Sequence, residues 1–124
     1  MADFVETVLA DAATFLNGDR GENYPSGDAF VSMGVPFVNA GHLLPSGRVD
    51  WASMDYISAE RLSLLRGGRF QVNDILFCIR GSLGKMAFVS EPTATGTIAS
   101  SLVIIRARRE LCEPRYLYYH ARSV

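Results

Sequence analysis

The sequence predicts an α+β fold, a single domain over residues 1–124 with a curved, mostly antiparallel or mixed β-sheet, an N-terminal helix, a short middle helix and a C-terminal helix. Three observations lead there. Short apolar runs alternate with polar, glycine-bearing loops, as the strands of a sheet do. Helical patterning is confined to the two ends and one stretch in the middle. A chain of 124 residues with 48% apolar content can bury one core.

Each element has its own reason. Asp3 and Glu6 stand at capping spacing, and Phe4, Val5, Val8, Leu9, Ala12, Phe15 and Leu16 form the apolar stripe of a first helix that Asn17-Gly18 stops. Residues 19–34 carry three glycines and Pro25 and read as a long loop of the kind a compact domain keeps for function. Pro36-Phe37-Val38-Asn39 begins a strand, left through Ala40-Gly41-His42 for an open segment. Ser58 caps a short helix carrying Leu62 and Leu65, ended by Gly67-Gly68. Ile75-Leu76-Phe77-Cys78-Ile79 is apolar without alternation, the mark of a strand covered on both faces. It should pair with the strand after residue 85, and Ile75, Phe77, Ile79, Val103 and Ile105 should be nearly inaccessible. Ile98 to Ile105 reads as one further strand. Pro114 opens the last helix, where Tyr116, Tyr118, Tyr119 and His120 read as core packing.

Composition narrows the function classes. The N-terminus is acidic and broken by charge, so it is neither a signal peptide nor a membrane span, and the expected location is the cytoplasm with no membrane partner. Cys78 and Cys112 lie far apart without metal-ligand spacing, which favours reduced thiols. His42 and His120 have no companion ligands, and no nucleophile, base and acid fall at a recognised spacing. No metal and no catalysis are therefore expected. The net charge of −1 conceals an asymmetry: residues 1–60 hold nine acids and two cations, a balance of −7, and residues 61–124 hold ten cations and four acids, a balance of +6. Eleven of the twelve cations are arginine, which binds phosphate and guanine edges in bidentate fashion. Solvated surface charge is the plainer reading of the same asymmetry.

One loop stands out. Arg80-Gly81-Ser82-Leu83-Gly84-Lys85 follows the buried strand, with two glycines that permit positive φ and a cation at each end. A P-loop needs four residues between its glycines and a helix afterwards, whereas here there are two and a strand follows. Arg80, Ser82 and Lys85 suit a nucleic-acid backbone better, unless the glycines serve only the turn. Asn39, next to Gly41 and His42, offers an amide for an adenine edge, or one that bonds its own turn. In the long loop, Arg20, Asn23 and Tyr24 could supply a cation, an amide and a stacking ring.

The order GDRGENYPS (18–26), GVPFVNAGHL (34–43), YISAERLSLLR (56–66), NDILFCIRGSLGKMAFV (73–89), TIASSLVIIR (97–106) and PRYLYYHARS (114–123) resembles one target recognition domain of the specificity subunit of type I restriction-modification systems. The resemblance implies a module that binds one half of a split double-stranded DNA site and catalyses nothing. Methyltransferase and restriction subunits would be its partners, and S-adenosylmethionine and ATP would belong to them, leaving this chain without a cofactor. It also implies that Arg20, Asn23 and Tyr24, Asn39 and His42, and Arg80, Ser82 and Lys85 gather on the DNA-facing side. Two departures stand out. Asn73-Asp74 replaces the usual Gly-Asp, a mild change because Asn tolerates the left-handed region. The sequence also stops soon after Tyr119, without the spacer helices and second copy of a complete subunit, so it reads as a fragment, a truncated gene or a free-standing half. The alternative is a truncated protein-interaction or inhibitory module, open to self-association, that does not bind DNA.

Overall fold

The computed structural model describes residues 13–19, 21–81, 84–92 and 94–122. Among these described residues nine strands and two helices follow in order: β1 (Ala13–Asn17), β2 (Phe30–Val31), β3 (Val35–Val38), β4 (Asp55–Ile57), α1 (Ala59–Leu64), β5 (Arg69–Phe70), β6 (Ile75–Cys78), β7 (Met86–Phe88), β8 (Gly96–Ile98), β9 (Leu102–Ala107) and α2 (Pro114–Arg122). Short 3-10 turns occupy Gly27–Ala29, Ala40–His42 and Trp51–Ser53.

The fold is α+β, and its strands form two sheets. One is antiparallel throughout, in the order β1-β9-β6-β7. The other runs β2-β4-β3-β8-β5 and is mixed, because β3 and β8 pair in parallel. Strand alternation distributes the core. Leu76 and Cys78 on β6, with Leu102 and Ile104 on β9, face a cluster shared with Val38, Phe70 and Ile98 of the second sheet. Ile75, Val103 and Ile105 face the opposite way, onto Leu117 and Tyr118 of α2. The apolar run at 75–79 is continuous because β6 is covered by a sheet on one face and a helix on the other. A third cluster joins Phe37, Ile57, Leu65 and Ala99.

The turn into β6 is fixed by charge. Asn73 takes φ 76°, the left-handed conformation that a Gly usually supplies. Asp74, 1% exposed, accepts from Gln71 N–H at 2.8 Å and from Arg106 Nε and Nη2, each at 2.9 Å. These bonds tie the turn to β9, and the bond to Asp74 raises the Arg106 pKa above its ordinary value.

Three expectations need correction. The first helix cannot extend to Leu16: Ala13–Asn17 is a strand paired along its whole length with β9, while residues 1–12 lie outside the described residues. Phe15 and Leu16 fit the helical stripe, but five ladder positions against β9 decide the local conformation. The antiparallel and mixed pairing is as expected, with the strands divided between two sheets. The strand expected over Ile98 to Ile105 is broken by a turn closed by Leu102 N–H on Ala99 C=O at 3.1 Å, and its halves belong to different sheets. Ile75, Val103 and Ile105 are buried, but Phe77 and Ile79 are half-buried, since the face they share with Ile75 is less fully covered toward the loop, while Cys78 on the other face stays buried. The middle and C-terminal helices stand where expected, with the Ser58 hydroxyl accepting from Arg61 N–H at 3.1 Å.

Candidate nucleic-acid interface

The hairpin β6–β7 presents the Arg80–Lys85 loop. Cys78 N–H donates to Lys85 C=O at 2.8 Å and closes the loop at its base, so both cations stand at the hairpin's end. Gly81 and Gly84 have φ of 74° and 86°, and a Cβ on either would meet nothing within 4 Å. Glycine is required there for backbone conformation and not for close packing. Arg80 is exposed and Lys85 half-buried, and neither side chain has a hydrogen bond or ion pair among the described residues. Two cations at the end of a hairpin, without partners among the described residues, can bind an anion at little rearrangement cost. Ser82 lies outside the described residues.

Asn39 and His42 are brought together, with their polar atoms engaged inside the fold. Asn39 Oδ1 accepts from Gly41 N–H at 2.8 Å, and its Nδ2 donates to Asp55 at 3.3 Å. His42 Nδ1 accepts from Asn39 N–H at 3.0 Å, completing a reciprocal capping box. The ring proton therefore sits on Nε2, which faces Ser53 C=O at 3.2 Å and Asp55 at 3.7 Å. His42 is only 5% exposed. These two residues staple the 39–55 segment. On its rim, Ser53 Oγ donates to Asp50 at 2.6 Å and holds that carboxyl below its ordinary range.

In the long loop, Tyr24 packs edge-on against Phe37 at 5.6 Å, and its hydroxyl accepts from Ser100 N–H at 3.2 Å. Its ring belongs to the third core cluster and is not a free platform for a base. Asn23 Nδ2 donates to Leu64 C=O at 3.4 Å while Asn23 C=O accepts from Arg61, which binds the loop to α1. Arg20 lies outside the described residues. The aromatics of α2 divide. Tyr118 is buried as expected, but Tyr116 and Tyr119 are 64% and 57% exposed. Sequence reasoning passed over Arg115 and Arg122, although their spacing of seven puts them on one helical face with Tyr118 and Tyr119.

Among the described residues no three His, Cys, Asp or Glu side chains converge on a possible metal position, and both cysteines are free. No helix of the described residues is long and apolar enough to cross a membrane.

No family model and no curated protein match the chain. Solved structures do. The HsdS subunit from Thermoanaerobacter tengcongensis superimposes with a TM-score of 0.66 at 16% identity, covering 91% of this chain. A structure of a type I R-M system, described for its complex assembly and conformational transition, matches with the same score, identity and coverage. The chain spans 25% of the length of each, so it shares the fold of one segment of those longer proteins. The fold of this chain is thus that of one segment of an HsdS subunit, the kind of protein that the six sequence segments resemble.

Proposed function

We propose that this chain is a DNA half-site recognition module of a type I restriction-modification system, one that places methyltransferase and restriction subunits on DNA and performs no chemistry itself. The observation that carries this reading is the match of nine-tenths of the chain to a quarter of an HsdS subunit. The cations of the Arg80–Lys85 loop, without side-chain partners among the described residues, supply phosphate contacts, with Ser82 between them in sequence and Arg20 as a further cation. Asn39 and His42 hold the 39–55 segment in shape, since adenine pairing by Asn39 would cost it the bond to Asp55. S-adenosylmethionine and ATP belong, on this reading, to the partner subunits.

Fluorescence anisotropy of the chain on short labelled duplexes tests it. Log K should fall linearly with log[salt], and Arg80→Ala and Lys85→Ala should each reduce the slope by roughly one unit. Binding that ignores salt, or slopes unchanged in both variants, would remove the loop from the interface. A second reading, a protein-interaction module, is favoured by one observation: Leu111, Tyr116 and Tyr119 leave apolar surface exposed around α2. Absence of duplex binding, together with self-association detected by sedimentation, would support that reading.

A further inference from the structure

Three arginines, Arg48, Arg115 and Arg122, line an open cleft of about 350 Å3 between one face of α2, the end of β7 and the turn at residues 46–48, and among the described residues no carboxylate lines it. Each is held differently. Arg122 is pinned, donating to Ser46 C=O at 3.0 Å, to Pro45 C=O at 2.8 Å and to the Tyr118 hydroxyl. Gly47 makes this possible: its φ is +86°, and a Cβ there would collide with both the Tyr118 hydroxyl and the Arg122 guanidinium. Arg115 lies 4.7 Å above the Phe88 ring, a contact that satisfies the flat face of the guanidinium and leaves its edge donors available. Arg48 is exposed. Among the described residues the side chains of Arg48 and Arg115 have no hydrogen bond or ion pair.

Like charges that share a cleft repel, and guanidinium donors without acceptors there are satisfied by solvent alone. An oxyanion relieves both conditions, and planar donor forks match the geometry of phosphate. We propose that this cleft binds a phosphate group, and that the group is a phosphodiester of a DNA backbone. The oxyanion chemistry follows from the cleft alone, whereas the DNA source rests on the function proposed above. An open cleft leaves a free phosphate ion most of its hydration, so the ion gains little by entering. A diester arrives already held by its neighbours along the strand. Exposed Ser90 on the lip can donate to a second phosphate oxygen, and the exposed ring of Tyr119 offers a flat surface to the sugar.

The test follows the arginine Nε–H signals of the full chain by NMR during titration with a short duplex and, separately, with inorganic phosphate. Salt slopes for duplex binding are measured for Arg48→Gln and Arg115→Gln. The duplex should shift the Arg48 and Arg115 signals while inorganic phosphate at millimolar concentration leaves them in place, and each variant should lose about one unit of slope. Arg48 is exposed and lies outside α2, so the result for Arg48→Gln does not depend on the stability of that helix. If the duplex binds and shifts Arg80 but leaves Arg48, Arg115 and both slopes untouched, the cleft proposal is overturned while the DNA reading stands. If inorganic phosphate shifts the two signals and the duplex does not, the diester source is overturned and the cleft serves a free phosphate. Silence in both titrations overturns the oxyanion site.

Discussion

Removing either member of the Asp74–Arg106 pair should destabilise the fold, and the two losses should be unequal. Arg106→Ala leaves a carboxylate only 1% exposed with Gln71 N–H as its remaining partner among the described residues. Taking one member from a buried pair costs about 3–5 kcal/mol, and the nearly inaccessible Asp74 puts this variant at the upper end. Asp74→Asn instead strands a guanidinium whose side chain is 31% exposed and which still donates to Arg69 C=O at 2.8 Å. Water can reach that group, so the loss should be about 2 kcal/mol, the value of a charge-assisted hydrogen bond. Urea melts of both variants should therefore show lower midpoints at unchanged m-values, with Arg106→Ala the worse. The linkage sign is simple. A guanidinium whose folded pKa is raised contributes fully below its unfolded pKa, so the contribution that follows from its shift is present at neutral pH and is lost in strong alkali. Equal losses, or an Arg106→Ala loss under about 1 kcal/mol, would refute the view that Asp74 is the costly member to leave alone.

Two further outcomes concern the core and the 39–55 segment. Leu76, fully buried between the sheets, should cost about 3–4 kcal/mol on Leu76→Ala, whereas half-buried Phe77 should cost about 2 kcal/mol on Phe77→Ala; the reverse order in denaturant melts would contradict the burial assigned to β6. Asp50 should titrate below 3.8 by carboxyl NMR and move upward in Ser53→Ala, because the Ser53 hydroxyl is the main cause of its lowered value. Its contribution is present above the unfolded pKa and is lost as pH falls through the folded one, in the region below about pH 4; an unmoved titration in the variant would remove that hydroxyl from the account.

What was legible in the sequence depended on how far each decision reaches along the chain. The β6–β7 hairpin, the Ser58 cap and the Pro114 helix start are set by residues within a few positions of one another, and all three are present. The identity of Ala13–Asn17 was not legible, because Phe15 and Leu16 satisfy a helical stripe and only the partner strand nearly ninety positions away favours the extended form. Strands β2, β4 and β5 have two or three residues each, too few for any periodicity to register. The division of Ile98 to Ile105 between two sheets was likewise hidden, since Ser100 and Ser101 interrupt the apolar run without a glycine or proline to mark the turn. The cationic cleft escaped because Arg48 and Arg122 meet through a tertiary contact of the 45–48 turn with α2.

Asn39 and Arg80 pose the same problem at the level of function. Both are polar, both follow a strand and both are followed within two positions by a glycine, so in sequence they make equal claims on DNA. The fold separates them. The local half of the Asn39 bonding, its turn with Gly41 and His42, is visible in the spacing, but Asp55, which takes its amide N–H, is sixteen residues away. Arg80 has glycines with positive φ after it and no partner among the described residues. Asn39→Ala should then act as a fold variant: losing a capping residue costs about 1–2 kcal/mol, and affinity for preferred and scrambled duplexes should fall together, if at all. Arg80→Ala should leave the urea midpoint in place and weaken binding to both duplexes through lost phosphate contact. Denaturant melts alongside anisotropy on the two duplexes separate these cases. Unchanged stability in Asn39→Ala with loss of preference for one sequence would mean that the amide leaves Asp55 to read a base, and the 39–55 segment would then be a reading head instead of a staple.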